Sequence, residues 1–293
     1  MNIEQYALVQ KGRLLSQEMF PKEPFSEAER LSNLLTNKIR SREPFSMVRF
    51  GDGEGRILAY PQLFNDNVLL SEVLAYQFGR KVVPALKAEF GKQWLASSVS
   101  CLSGFLHTAL DSADVLGVPS HLHFRKPLSR QNIHPRVANS RVLQVVDNLK
   151  KQECQLFDLF IFKAMHKQGL LQPMLSGLDF LGVVSHTNNT DQLKQAFNLK
   201  QCHHIEIPGH QSFMKSDKLH FPHEYKRVLT SISVPYRGAV YIVAGGYLGK
   251  LYCHEIKSQG GIALDIGSVF DSWTGLGRKD AVVDESMRLN VVS

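Results

Sequence analysis

The sequence predicts an α/β protein with a mainly parallel, Rossmann-like sheet flanked by helices and preceded by an N-terminal helical extension. Three observations carry this reading. From about residue 136 onward, helical patterns alternate with short apolar runs, as they do where crossover helices join parallel strands. Near the start, Phe45-Ser46-Met47-Val48-Arg49-Phe50 reads as a buried strand that stops abruptly at Gly51-Asp52-Gly53-Glu54. Near the end, Ala239 to Val243 runs into a glycine turn, a helical pattern and a further strand, Ile262 to Ile266.

Taken in order, residues 3 to 40 read as two amphipathic helices, with Ser26-Glu27-Ala28-Glu29 as a capping box ahead of the second. We assign 1–40 to the extension and 41–293 to the main domain. Ser71 to Phe90 is periodic enough for one or two helices, Pro84 marking a start or kink. Asp114 to Pro119 reads as a short buried strand. His121 to Arg136 reads as a proline-broken loop. Further strands are expected at Leu156 to Phe162, Phe180 to Val184 and His203 to Ile207, with helices at 188–198, 219–232 and 246–259. No repeat, low-complexity tract or Gly/Ser linker divides the chain.

Composition narrows the class. A chain of 293 residues can bury a proper core without staples, and its four cysteines, Cys101, Cys154, Cys202 and Cys253, form no CxxC pair. Neither a zinc site nor a disulfide framework is indicated, which fits a reducing cytoplasm. The N-terminal stretch lacks a basic segment followed by a continuous apolar core, and no window approaches a membrane span. A cytoplasmic protein is therefore expected. The formal charge of +7 is unevenly spread, because no acidic residue lies between Asp114 and Asp147. That basic, histidine-rich stretch suits phosphates, either of a nucleotide or of an anionic membrane surface at the inner face. Nucleic acid is not expected, since no zinc finger, RNP, KH or helix-turn-helix signature accompanies the charge.

Four groups of residues could carry chemistry. Asp52 and Glu54, flanked by Arg49 and Arg56, offer hard oxygen ligands and cations at a strand's carboxyl end, where open α/β sheets bind ligands; Gly51 and Gly53 let the backbone approach. In Ala239 to Lys250, Gly245, Gly246 and Gly249 form a turn into a helix whose amides could hold a phosphate. Its spacing approximates a dinucleotide fingerprint with the first glycine replaced by Ala244, whereas Leu251 after Lys250 excludes a Walker A loop. Asp265 and Asp271 could contact ribose, complete a metal shell or act as a base, or could be ordinary turn and capping residues. Ser185, His186 and Asn188 could cap a helix and bind a ligand together. The His203, His204, Glu206 and His210 cluster invites a metal reading, but strand alternation would separate His203 from His204 and Glu206. Gln211 beside His210 is a further possible substrate contact.

Arg49-Phe50-Gly51-Asp52-Gly53-Glu54, together with the later strand–glycine–helix–strand unit ending Ala263-Leu264-Asp265-Ile266-Gly267, resembles the GT-D fold glycosyltransferases of bacteria, over about residues 40 to 275. The resemblance implies a transferase that takes a sugar from a nucleoside diphosphate donor such as a UDP-sugar and builds bacterial surface polysaccharides or glycoproteins. It implies a divalent cation, Mn2+ with Mg2+ as the alternative. Residue by residue, Asp52 and Glu54 match the D-x-E carboxylates, Arg49 the arginine before them, and Asp265 and Gly267 the late motif. Where family members continue Asp-Ile-Gly with His, this chain has Ser268, so a metal ligand or contact is missing or supplied elsewhere.

The leading expectation is a glycosyltransferase acting on a hydroxyl of a glycan, glycoprotein or lipid-linked acceptor. Asp52, Glu54 and Asp265 would be its catalytic residues, and Asp52 and Glu54 would hold the metal. Arg49, Gly51, Gly53, Arg56, Ser185, Asn188, Gly245, Gly246, Gly249 and Asp271 would contact the donor. The alternatives are a Rossmann-type NAD-dependent enzyme built on 239–265 and a non-catalytic nucleotide-sugar or glycan-binding module.

Overall fold

Five strands are buried along their whole length and two are not, a difference that locates the two edges of the sheet. The computed structural model describes residues 3–20, 23–66, 87–89, 91, 93–129, 133–149, 154–208 and 219–273. Strands β1 (Phe45–Arg49), β2 (Val115–Val118), β4 (Phe180–Ser185), β6 (Val240–Val243) and β7 (Ile262–Asp265) are fully buried, as apolar strands covered on both faces must be. Partly exposed β3 (Gln155–Asp158) and β5 (Gln201–Glu206) form the edges of a seven-stranded sheet in the order β3-β2-β1-β7-β6-β4-β5. Every pairing is parallel, Met47 lying opposite both Val115 and Leu264.

Period-two alternation then sorts the core into two layers. Phe45 and Met47 of β1 face one side, with Ile262 and Leu264 of β7. That side is covered by α2 (Ala28–Ser41), α6 (Ile161–Lys167), α7 (Leu171–Leu175), α8 (Thr190–Phe197) and α11 (Ser268–Trp273). Val48 and Phe50 face the other side, under α1 (Ile3–Met19), α3 (Asp52–Leu58), α4 (Trp94–Ser112), α5 (Ile133–Leu149), α9 (Tyr225–Ser231) and α10 (Leu248–Ser258). Helix α2 presents Ala28, Leu31 and Leu35 to the sheet with no exposed surface; each such leucine contributes about 1.5–3 kcal/mol of burial.

The chain runs from β1 outward to β2 and β3, crosses to β4 and β5, and returns through β6 and β7 to lie beside β1. After β1 it enters α3 on one face, and after β7 it enters α11 on the other. Beyond the carboxyl ends of these two central strands lies the crevice where open α/β sheets hold ligands.

Several boundaries differ from expectation. Ser26 does not cap α2: it lies in a 3-10 turn, Pro24–Glu27, and its hydroxyl donates to Glu23 O at 2.6 Å, leaving Glu27 at the N-cap without a side-chain bond. The strand expected over 156–162 ends at Asp158, whose carboxylate accepts the Phe160 N–H at 2.7 Å and turns the chain into α6. The basic loop 121–136 is a 3-10 turn, His121–Phe124, leading toward α5, in which Arg136 is buried and donates to the carbonyls of Phe124 and Lys126. Helix α9 occupies only the last half of 219–232, after an irregular π turn at His220–Glu224. The helices expected over Ser71 to Phe90, and His210 and Gln211, lie outside the described residues, apart from Lys87–Glu89, which are helical.

Candidate active site

Asp52 and Glu54 open a helix rather than sitting in a loop, and this decides where each carboxylate goes. Two positions along an α-helix are about 200° apart, so such side chains diverge. Glu54 turns inward: its Oε2 accepts the Gly51 N–H at 2.9 Å, and its Oε1 lies 2.9 Å from the Lys250 ammonium. Asp52 turns outward, its side chain half exposed, and accepts from Arg56 Nη1 at 2.7 Å one turn later. Gly55 lets this helix lie against α5, since a Cβ there would stand 2.1 Å from Ala138 O.

Lys250, in the first turn of α10, joins three parts of the chain. Its Nζ lies 2.9 Å from Glu54 Oε1 and 3.0 Å from Asp265 Oδ2, and donates to Gly246 O at 3.0 Å. Three acceptors account for its three protons. Arg49 closes the cluster from β1: its N–H reaches Asp265 Oδ2 at 3.1 Å, Nε reaches Asp265 O at 2.8 Å, and Nη1 reaches Leu159 O at 3.2 Å. Burial disfavours both charges, yet Asp265 and Glu54 hold Lys250 above the usual lysine range, and Lys250 and Arg49 hold Asp265 below the usual carboxylate range. The Arg49 side chain runs between glycines on its flanks. A Cβ at Gly117 would stand 2.8 Å from Arg49 Cγ, and one at Gly267, where φ is +49°, would stand 1.5 Å from Nη2. The glycine of Asp-Ile-Gly is thus required by Arg49, which lies at the far end of the sequence's strand order and beside it in space.

The segments around Asp52 and around Gly245 therefore meet at the carboxyl edge of β1, β7 and β6. Within that meeting the expected roles divide. Asp265 is buried, its carboxylate held by Lys250 and Arg49 rather than turned out to the crevice. A Mn2+ or Mg2+ ion shared by Asp52 and Glu54 does not fit either. Glu54 spends both oxygens on Lys250 and Gly51, Asp52 points the other way, and among the described residues no three His, Cys, Asp or Glu side chains converge on one point. Gly51 supplies its amide to Glu54, and Gly53 faces open space. Gly245 and Gly249 serve close packing, since a Cβ on Gly245 would stand 3.0 Å from the Gly249 Cα, while Gly246 takes φ +57° to make the turn. Arg49 and Arg56 are both spent on partners within the chain.

The remaining candidates lie elsewhere. Asp271 is on α11, on the opposite face of the sheet. Ser185 ends β4, three strands from β1 and so about 14 Å away at ~4.8 Å per strand. Its buried hydroxyl donates to Thr187 O at 2.8 Å and lies 3.1 Å from His204 Nε2. Asn188 Oδ1 accepts from Thr190 N–H at 3.1 Å and from Thr190 Oγ1 at 2.9 Å, an Asx-type turn one residue ahead of Asn189, the N-cap of α8.

Sequence reasoning missed Lys250, noticed only to exclude a Walker loop, and a second group beside Asp52. His123 stacks on the exposed Phe160 ring with centroids 5.0 Å apart, and its Nδ1 is 3.8 Å from Asp158 Oδ2. Asp158 is itself held by the Ser120 hydroxyl and the Phe160 N–H. Burial lowers the His123 pKa against the opposing charges of Asp158 and Asp52. The available signal was local: Ser120 follows the apolar run that ends at Pro119, and Asp158 is the one charge inside the apolar run Leu156 to Phe162.

Residues 26–273 match the GT-D-like family, described as a GT-D fold-like domain. Among solved structures, the chain is similar to a new glycosyltransferase (domain of unknown function 1792) from Streptococcus sanguinis, with TM-score 0.50 and 16% identity over 86% of this chain and 85% of that one. It is similar to a selenomethionine-substituted structure of domain of unknown function 1792, with TM-score 0.52 and 15% identity over 99% and 94% of the two chains. A third, described as the same domain with a distinct glycosyltransferase fold, gives TM-score 0.50 and 15% identity over 92% and 96%. At such identities the likeness is one of fold. No curated protein matches the chain.

Proposed function

Since this chain belongs to the GT-D-like family, we propose that it is a glycosyltransferase moving a sugar from a nucleoside diphosphate donor to a hydroxyl of a bacterial surface glycan, glycoprotein or lipid-linked acceptor. The observation that carries this reading is the junction of the D-x-E helix with the glycine corner, closed by Glu54, Lys250 and Gly246 at the central strands' carboxyl edge. That edge at a switch point suits a nucleotide.

Each residue's part follows from its surroundings. Departure of a nucleoside diphosphate builds negative charge on phosphate oxygens, and the N-terminal turn of α10 offers backbone N–H groups and the positive end of its dipole to that charge. Glu54, Lys250 and Asp265 hold α3, α10 and β7 in fixed relation, so the corner is preorganised before the donor arrives. Asp52, the half-exposed member of the acidic pair, is the carboxylate left to orient a sugar hydroxyl or take the acceptor's proton. Arg56, donating from Nη1 one helical turn later, holds it aimed.

The test separates chemistry from folding. Asp52→Asn is expected to lose transfer by about 100-fold or more while keeping the wild-type melting temperature, a general acid–base contribution of ordinary size. Purified protein screened against nucleoside diphosphate sugars should show a raised melting temperature with its own donor. Undiminished turnover in Asp52→Asn, or no stabilisation by any such donor, removes this reading.

A further inference from the structure

Glu54 Oε1, Asp265 Oδ2 and Gly246 O surround Lys250 Nζ at 2.9, 3.0 and 3.0 Å. Two carboxylates and a carbonyl are the oxygen donors that hard divalent cations take. Here the position is filled by an ammonium that the chain itself supplies, with its side chain 5% exposed and the two carboxylates 11% and 2% exposed. A second fixed cation, Arg49, lies against the far side of Asp265, with Nη2 3.5 Å from Oδ1. The negative charge that would recruit a metal is therefore already neutralised, and Asp52, turned out toward Arg56, cannot join Glu54 on a shared ion.

We propose that Lys250 is the resident cation of this site, so that the chain assembles its donor corner, and turns over, without a divalent metal. In this arrangement Lys250 is a positioning residue: it ties the D-x-E helix to the glycine corner and does not itself meet the donor, because its three protons are already bound. The carboxylates of Glu54 and Asp265 form a latent metal site that opens only when the ammonium is removed. The turnover part of the inference rests on the transferase reading; the metal-binding part does not.

The experiment has two arms on the full-length protein. In thermal melts, Mn2+ or Mg2+ is expected to leave the wild-type melting temperature unshifted. Lys250→Ala, which leaves two buried carboxylates facing each other, is expected to melt lower and to be raised by Mn2+ far more than by the same charge concentration of Na+. Should that variant fail to fold, the wild-type arms still decide. A wild-type melting temperature raised by Mn2+, with the rise lost in Glu54→Gln, overturns the proposal. In turnover assays, exhaustive chelation is expected to leave the rate unchanged. A fall of about tenfold, equivalent to ~1.4 kcal/mol of barrier, that Mn2+ restores would equally overturn it. Absence of any turnover with every donor would instead count against the transferase reading, leaving the melting result to stand on its own.

Discussion

At the residue scale, one structural rule governs the site: charges buried beneath the sheet edge are paired to each other, and the one carboxylate at the rim is partly wet. Replacing a member of the inner group should therefore unfold rather than silence. Gly267 offers a sharp test, since its φ of +49° and its contact with the Arg49 guanidinium both exclude a side chain. Gly267→Ala would strain the backbone and drive Nη2 away from Asp265. We expect it to lose about 3 kcal/mol of stability, read as a lowered urea midpoint. A variant within about 0.5 kcal/mol of wild type, the range of an ordinary surface change, would contradict this account of the motif. Asp52 and Glu54 look equivalent in sequence, yet one spends its charge inside the protein and the other at its surface. The D-x-E spacing itself causes this once the segment is helical, because positions two apart face different ways.

At the element scale, helix α10 is held at two points. Its first turn carries Lys250, and its middle packs Tyr252 against the π turn at His220–Glu224. His220 Nε2 lies 2.6 Å from the Tyr252 hydroxyl, and burial, aided by the charge of Arg227, pushes the imidazole pKa down from 6.5 to about 3. The unfolded chain takes up this proton near pH 6.5 while the folded one resists it. The contribution is therefore whole above that pH and is lost progressively as pH falls toward 3, by up to about 1.4 kcal/mol per unit. His220→Gln keeps a hydrogen-bonding partner for Tyr252 without a titrating ring. Its urea midpoint should fall less steeply than wild type between about pH 6.5 and 4.5. Equal slopes would place the acid sensitivity elsewhere. Burial at this depth is a tertiary property, and the sequence around His220 carried no sign of it beyond an apolar neighbour.

At the scale of the whole molecule, the switch point between β1 and β7 brings a segment near residue 50 against one near 250. Donor binding should accordingly slow amide hydrogen exchange in residues 50–56 and 244–250 together, and leave the β4–β5 end near Ser185 and His204 unchanged. Protection confined to one of the two segments would mean that the donor does not bridge them. The basic stretch after Asp114 makes the opposite point. It reads as a free cationic loop, but Arg136 is buried on carbonyls and Arg125 lies 2.9 Å from Glu23, so much of its charge is used within the fold.

What the sequence determined by itself is local. Apolar runs of strand length alternating with helical periods require a parallel α/β sheet, because a strand buried on both faces must be apolar throughout and must return through a helix. The glycines at 245 and 246 likewise announced a close backbone turn at a strand end. Only the tertiary structure decided which strands are neighbours and what each charge meets. Pairing between residues two hundred positions apart leaves no periodic trace, so Lys250 read as a bystander until the fold set its ammonium between Glu54 and Asp265. The division of Asp52 from Glu54 was decided by a helix that begins at Asp52, where the glycines of the sequence read as a turn.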